Sequence, residues 1–199
     1  MGFWDVITGR TRPKQANLDA LFAVPTAALT MQTSLGLVPT GDGAVCYRAA
    51  AGAGFAATQS DIVELLGASE GAPTVTTSVD EFGFTWLSVD HEPLDPADPD
   101  ITGLVTDLHA VNTTLEMNGF GPGLLCSLIA FRDSSTDAGG RSVGLIYLYK
   151  QGTFYPFAPT GPQQRDNLLE INVRTAIEGD LPVEKDLSRW LAVWGAPGL

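Results

Sequence analysis

The sequence has few cysteines, no long apolar run and no leader-like amino terminus. Its 199 residues include only Cys46 and Cys126, which excludes a scaffold held by several disulfides and is typical of a reduced protein. No stretch approaches the roughly 18 consecutive apolar residues of a membrane span. The first residues lack the basic start, long apolar stretch and small-residue cleavage site of a signal peptide. We therefore expect a cytoplasmic protein, with peripheral contact at the inner face of the cell membrane left open.

Positive charge is also scarce. Eleven Lys and Arg residues oppose 23 Asp and Glu residues, which gives a net charge of -12. Residues 49–131 contain no Lys or Arg and carry 12 of the acids. This charge opposes binding to nucleic-acid phosphates, so we expect no nucleic-acid partner. Two interpretations of the acidic middle stay open: a solvated surface, or a surface that steers a basic partner.

What the sequence does contain is enough apolar material for a core, since 44% of the residues are hydrophobic. Apolar spacing and end signals predict four helices, at residues 18–22, 55–66, 104–115 and 166–177, the first of them ended by Pro25. Runs rich in strand-forming residues predict seven strands, at residues 27–37, 44–48, 74–79, 84–89, 124–131, 143–149 and 153–157. Short turns join consecutive strands, and the first of these turns is predicted at residues 39–43. The pattern predicts a single α+β domain with a mainly antiparallel sheet of hairpins packed with about four helices.

We divide the chain into three parts. Residues 1–14 form a basic, amphipathic amino-terminal segment, residues 15–185 form the α+β domain, and residues 186–199 form an aromatic carboxy-terminal tail. In the first part, Phe3 and Trp4 precede the cations Arg10, Arg12 and Lys14. This order is typical of a weak interfacial membrane anchor. The alternative is that Phe3 and Trp4 pack on the protein's own core.

The tail contains two large aromatic residues, Trp190 and Trp194. Large aromatic side chains often anchor protein interfaces, so these two residues are candidates for partner contact. They could equally pack against the protein's own sheet.

One segment imitates a phosphate-binding turn. Residues 52–57 match the pattern G-x-G-x-x-A with Gly52 and Gly54, and Asp80 follows a strand-like run further on. Such a turn can place a dinucleotide phosphate at a helix amino terminus. A dinucleotide fold must continue with a parallel strand, however, whereas this chain continues with hairpins. The nucleotide site is therefore kept as an alternative only.

No other pattern indicates a cofactor, a metal or a catalytic group. The histidines, His91 and His109, do not have zinc-ligand spacing with any cysteine. Cys46 and Cys126 both fall on predicted strands, where a cysteine is most often a small buried apolar residue. We expect no cofactor, no metal ion and no catalytic residue.

Several long strings in the chain resemble a known family. They are MGFWD, GRTRPKQANLDALFAVP, DEFGFTWL, LVTDLHAVNTTLE, GFGPGLLCSLIAF, LYKQGTFYPFAP, RDNLLE and DLSRWLAVWGAPGL. Together they are similar to the PspA-associated protein PspAB family, over essentially the whole chain. The resemblance implies a role in the phage-shock-type envelope stress response, whose central member, PspA, is a membrane-binding coiled-coil protein. The order of elements also resembles secretion-chaperone-like and YbjN-type folds.

Three hypotheses about function follow. The first, implied by the resemblance, is a non-enzymatic accessory protein that binds a PspA-like coiled-coil protein and other stress-response proteins. The second is an enzyme or nucleotide-binding domain that uses the turn at residues 52–57. The third is a chaperone-like module that holds an extended client, for which we expect a homodimer.

Overall fold

A computed structural model describes residues 17–49, 52–68, 71–91, 95, 100–134 and 140–199. Within these ranges the chain forms four α-helices: α1 Val24–Leu35, α2 Ala53–Leu66, α3 Thr102–Met117 and α4 Asn167–Ile177. The strands of the main sheet are β1 Leu37–Tyr47, β2 Thr74–Val79, β3 Thr85–Asp90, β4 Leu124–Asp133, β5 Ser142–Leu148 and β6 Thr153–Phe157. A small hairpin follows, with β7 Pro159–Gly161 and β8 Gln164–Arg165.

The six main strands lie in the order β2-β3-β1-β4-β5-β6. Every pair of neighbouring strands in this sheet is antiparallel. The predicted α+β class, with a mainly antiparallel sheet and four helices in a single domain, is therefore confirmed. β1 is a central strand, since it pairs with β3 on one side and β4 on the other.

Most of the predicted elements lie where the sequence pattern placed them. The strands at residues 74–79 and 153–157 are confirmed to the residue. The helix α4 begins after Asp166, whose side-chain carboxylate accepts a hydrogen bond from the Leu169 amide at 2.9 Å. This bond satisfies one of the free amides of the first helical turn. Local signals were sufficient for these elements.

The strand predicted at residues 27–37 is wrong, and so is its hairpin with residues 44–48, whereas residues 44–47 do lie in a strand, β1. Residues 24–35 form the helix α1, and Pro25 lies in its first turn instead of ending a helix. A proline is tolerated there because its missing N–H would have no helical partner. Gly36, with a φ of 68°, ends the helix, and its amide donates to the Gln32 carbonyl at 3.0 Å. The turn predicted at residues 39–43 is a bulge within the single strand β1.

The helices cover one face of the sheet. α1 and α3 pack against β1, α4 packs against α1 and β6, and α2 packs against α3. Between these helices and the sheet lies the larger apolar core, which includes Met31, Leu108, Phe131, Tyr147 and Phe154. These helices leave the opposite face of the sheet uncovered.

Gly43 lets α3 approach the central strand β1. A Cβ atom at residue 43 would lie 2.9 Å from Leu104 Cδ1 and 3.2 Å from the Leu128 carbonyl oxygen. We expect Gly43→Ala to lower the free energy of unfolding by about 1–3 kcal/mol, because the helix must move away from the sheet. Gly54→Ala is the matched control, since a Cβ atom there meets nothing within 4 Å. Urea unfolding of both variants checks the prediction, and equal stability would contradict it.

Among the described residues, no helix has the length and hydropathy needed to cross a bilayer.

Candidate functional site

The second face of the sheet is partly covered by the end of the chain. Residues 186–199 run across this face and form a smaller apolar cluster with it, including Trp190, Ala196, Tyr155, Phe157 and Leu128. The segment has little regular structure beyond a short 3-10 helix, Leu187–Arg189. Its position is therefore set by side-chain contacts with the sheet.

Trp190 and Tyr155 provide the main attachment of this segment. The Trp190 ring stacks on the Tyr155 ring with centroids 6.0 Å apart. The Trp190 indole N–H donates to the Glu184 carbonyl at 3.1 Å, and the Tyr155 hydroxyl donates to the Leu191 carbonyl at 2.8 Å. Each buried polar group thus has a partner, which removes the cost of burying it. Burial raises the pKa of Tyr155 well above its ordinary value, so its hydroxyl stays protonated and keeps donating.

Arg165 provides a second attachment. Its Nη1 donates to the Trp190 carbonyl at 3.0 Å, and its Nε donates to Glu170 Oε1 at 2.8 Å. The guanidinium carbon also lies 5.0 Å from the centroid of the Phe157 ring. Glu170 is buried and accepts a second hydrogen bond from the Ala158 amide at 2.9 Å. One buried ion pair therefore joins the small hairpin, α4 and the carboxy-terminal segment.

A cavity of about 360 Å³ remains between the sheet and residues 191–194. Its floor has one side chain from each of five neighbouring strands. These side chains are Trp86, Cys46, Cys126, Leu148 and Tyr155. The cavity floor is thus almost entirely apolar.

The strand register explains why the cavity exists. Trp86 lies opposite Cys46, Cys46 lies opposite Cys126, and Cys126 lies opposite Leu148. These four residues form one row across the sheet, in which two small side chains stand between two larger ones. The small side chains leave a depression that the tail covers but does not fill.

The cavity opens at an apolar rim. Phe82 and Leu191 line it, and each exposes 63% of its surface. Phe82 lies in the turn between β2 and β3, and Leu191 lies in the carboxy-terminal segment. Exposed large apolar side chains beside a cavity are typical of a binding surface. We name Phe82, Leu191 and the cavity floor together the apolar site.

Two cations flank the apolar site. Arg48 and Lys150 line the cavity and are exposed to solvent. The Arg48 guanidinium carbon lies 5.7 Å from the centroid of the Phe84 ring, a distance that allows a cation–π contact. Arg48 directly precedes the stretch that contains no Lys or Arg. A protein with a net charge of -12 thus places two of its few cations at this opening.

Asp80, which the nucleotide alternative used, organises the turn beside the cavity. Its Oδ1 accepts hydrogen bonds from the amides of Phe82 and Phe84, both at 2.9 Å, and its Oδ2 accepts one from the Trp86 indole at 3.0 Å. An aspartate that accepts from amides two and four residues ahead is a turn-forming residue. Its carboxylate therefore presents Phe82 and Phe84 at the cavity.

Gly52 and Gly54 lie at the start of α2. Gly52 has a φ of 129° and precedes the helix, as the phosphate-turn pattern requires. However, β1 is antiparallel to both of its neighbours, β3 and β4, so the strand before this turn has no parallel neighbour. In a dinucleotide-binding fold the corresponding strand has a parallel neighbour. Nucleotide binding at Gly52 and Gly54 stays a prediction.

The remaining predicted contact residues divide into two groups. Phe3, Trp4, Arg10, Arg12 and Lys14 lie outside the described residues, so their contact with a membrane or partner stays a prediction. Trp190 is buried against Tyr155, so in this structure its ring is part of the fold. Trp194 is half-buried, packs edge-on against Phe157 at 4.9 Å between centroids, and lines the cavity.

The histidines lie away from the apolar site. His91 Nε2 and Asp107 Oδ2 are 2.9 Å apart, and the His109 ring packs against Phe22 with centroids 4.7 Å apart. In the part of the chain that the structure describes, no group of three or more His, Cys, Asp or Glu side chains could hold a metal ion.

Comparison with known proteins identifies the family of this chain. The model of the family described as PspAB, PspA associated protein B, matches residues 1–198. Searches of curated proteins and of solved structures returned no match. The family description indicates an association with PspA. Because the match covers nearly every residue, the chain belongs to the PspA-associated protein B family.

Proposed function

We propose that this protein is a non-enzymatic accessory protein that binds PspA, the coiled-coil protein of the stress response, by taking an apolar and acidic helical segment into the apolar site. The observation that carries this proposal is the cavity of about 360 Å³ with Phe82 and Leu191 exposed at its rim. Membership of a family described as PspA-associated supports the choice of PspA as the partner.

The size and chemistry of the apolar site favour a partner's apolar side chains. Ligand pockets in proteins range from roughly 300 to 1,000 Å³, and the cavity lies at the lower end of that range. Amphipathic helices insert a few apolar side chains into grooves of this kind. The exposed Phe82 and Leu191 would lose contact with water on binding, which adds to the affinity.

The charges at the site favour an acidic partner segment. Arg48 and Lys150 are exposed beside the cavity, whereas the chain as a whole repels anions. Acidic residues beside the apolar residues of the partner helix would pair with these two cations. Such pairs at the edge of an interface contribute mainly to the rate of association and to specificity, and salt screens them. Binding is therefore expected to weaken as the salt concentration rises.

The ionisable groups that line the cavity support binding better than catalysis. Asp80 already accepts three hydrogen bonds from its own turn. The Cys46 pKa is raised far above its ordinary value, first by the hydrogen bond with Cys126 and then by burial, so its thiol stays protonated. A protonated thiol and an occupied carboxylate are poor nucleophiles and poor bases.

The decisive experiment measures the affinity of the full-length protein for the purified PspA protein encoded in the same genome. We expect Phe82→Asp and Leu191→Asp each to weaken binding at least about tenfold, because a carboxylate at the rim must be desolvated against an apolar surface. Isothermal titration calorimetry or surface plasmon resonance gives the dissociation constants.

Two matched controls test whether the position matters. Leu168 and Met117 are also exposed large apolar residues, at 72% and 82%, but neither lines the cavity. Leu168→Asp and Met117→Asp are expected to bind PspA as the unaltered protein does. Equal loss in all four variants, or no loss at Phe82 and Leu191, would reject the apolar site. No binding by the unaltered protein at low or moderate salt would reject the partner.

A further inference from the structure

The floor of the cavity brings together the two cysteines of the chain. Cys46 on β1 and Cys126 on β4 are direct cross-strand partners in the antiparallel ladder. The side chains of two directly opposite residues point to the same face of the sheet. Both cysteines are free thiols, and both line the cavity. They are separated by 80 positions (126 minus 46) in the sequence, so their proximity is a result of the fold.

The geometry of a direct cross-strand pair is suitable for a disulfide. Opposite residues in antiparallel strands have Cα atoms about 4.5 or 5.5 Å apart, depending on the hydrogen-bonding pattern. Disulfides span Cα separations of about 4.4–6.8 Å. A bond between these two sulfur atoms would therefore need no large movement of the backbone. The neighbouring Cys126 thiol is also the first cause of the raised pKa of Cys46, which is consistent with this proximity.

The cavity gives a small reagent a path to the thiols. Cys126 exposes 7% of its surface and Cys46 exposes 3%, and both line the same cavity that opens beside Phe82. Cys126 is the more exposed of the two, so a reagent that enters the cavity meets the Cys126 thiol first.

We propose that Cys46 and Cys126 form a reversible cross-strand disulfide by exchange with a low-molecular-weight disulfide. The Cys126 thiolate attacks one sulfur atom of the reagent, which forms a mixed disulfide and releases one small thiolate. Cys46 then transfers its proton to solvent and attacks the Cys126 sulfur, which releases the second small thiolate. The two protein thiols lose two electrons and two protons. The reagent gains them and leaves as two thiols.

The bond would link two central strands across a long segment of the chain. A disulfide that closes a long loop restricts the unfolded chain and stabilises the folded state. We expect the melting temperature of the oxidised protein to exceed that of the reduced protein by about 5–10 °C. A reducing agent should reverse the difference.

The experiment exposes the folded, reduced, full-length protein to oxidised glutathione. Intact mass spectrometry should show the loss of two hydrogen atoms without an added glutathione, and peptide mapping should join Cys46 to Cys126. Cys46→Ala should instead keep one glutathione on Cys126, because the resolving thiol is missing. Cys126→Ala should likewise form no intramolecular disulfide and can take up at most one glutathione, on Cys46.

Three results would overturn the proposal. The first is a folded protein that keeps both thiols while the protein in guanidinium becomes oxidised. The second is a stable glutathione adduct on the unaltered protein. The third is a disulfide between two chains. The double variant Cys46→Ala/Cys126→Ala is the control for the melting temperature, which the oxidant should leave unchanged.

Discussion

Replacing Trp190 with alanine is expected to lower the free energy of unfolding by about 3–5 kcal/mol. The indole is buried, stacks on Tyr155 and donates to the Glu184 carbonyl. Its removal leaves a cavity in the smaller apolar cluster and an unpaired carbonyl. Because the carboxy-terminal segment has little regular structure, loss of this contact should also detach residues 191–199 from the sheet.

Urea unfolding followed by circular dichroism measures this effect. Trp194→Ala is the matched control in the same segment, and a smaller loss of about 1–2 kcal/mol is expected because Trp194 is only half-buried. Trp190→Phe should retain most of the stacking and cost less than Trp190→Ala. If Trp190→Ala were as stable as the unaltered protein, the ring would not hold the segment, and its sequence-based role in partner contact would regain support.

Replacing Arg165 with methionine is expected to cost about 2–4 kcal/mol of folding free energy. The change removes the hydrogen bonds to Glu170 and to the Trp190 carbonyl, and it leaves the buried Glu170 carboxylate without its cation. An unpaired buried charge is more costly than a missing ion pair. The double variant Arg165→Met/Glu170→Met should therefore recover a large part of the loss.

Arg189→Met separates this effect from a general loss of positive charge. Arg189 pairs with Glu184 at 3.4 Å, but about half of its side chain is exposed. Glu184 is buried, but it keeps its hydrogen bonds from Thr153 Oγ1 and the Asp186 amide when Arg189 is replaced. Because the Arg189 end of the pair is solvated, a cost below about 1 kcal/mol is expected. The free energy of unfolding is measured by thermal or chemical unfolding for the unaltered protein, Arg165→Met, the double variant and Arg189→Met. Equal losses in the free energy of unfolding for Arg165→Met and Arg189→Met would show that the pair of Arg165 with Glu170 stabilises the fold no more than the pair of Arg189 with Glu184.

These variants also divide the structural role of the tail from its proposed role in binding. Phe82→Asp and Leu191→Asp change side chains that are already exposed, so they should reduce PspA affinity with little effect on stability. Trp190→Ala and Arg165→Met should reduce both, because they release the segment that covers the cavity. A loss of affinity without a loss of stability therefore identifies the contact surface.

The sequence-based prediction succeeded where a local signal was complete. In α3, Leu104, Leu108, Val111 and Leu115 recur at helical spacing, and all four are buried in the core. In β6 and β2, short runs of strand-forming residues are bounded by turns. Such signals depend on neighbours a few residues apart, and tertiary contacts did not override them.

The prediction failed at residues 24–36, although the signal for a helix was present. Val24, Ala27, Ala28 and Met31 have the spacing of one helical face, and all four are buried. Pro25 was interpreted as the end of a helix, whereas it lies in the first turn of α1. Reading the proline as a start and Gly36 as a stop would have found the helix.

The residues of the candidate site were also predicted only in part from the sequence. Trp194, Cys46, Cys126 and Asp80 drew attention as single residues, and all of them line the cavity. Arg48, Phe82, Lys150 and Leu191 received no role in the site. The only local signal among them was the position of Arg48 directly before a stretch without Lys or Arg. Nothing local showed that a turn, five strands and the tail would meet.

Membership of the PspA-associated protein B family, the α+β class and most helix and strand positions could all be read from the order of the amino acids. They depend on residue patterns that persist in the chain before it folds. The row of Trp86, Cys46, Cys126 and Leu148 could not be read in this way, and neither could the carboxy-terminal cover above it. Strand register and the choice of covered face depend on the hydrogen bonds and packing of distant segments together, so they exist only once the sheet has assembled.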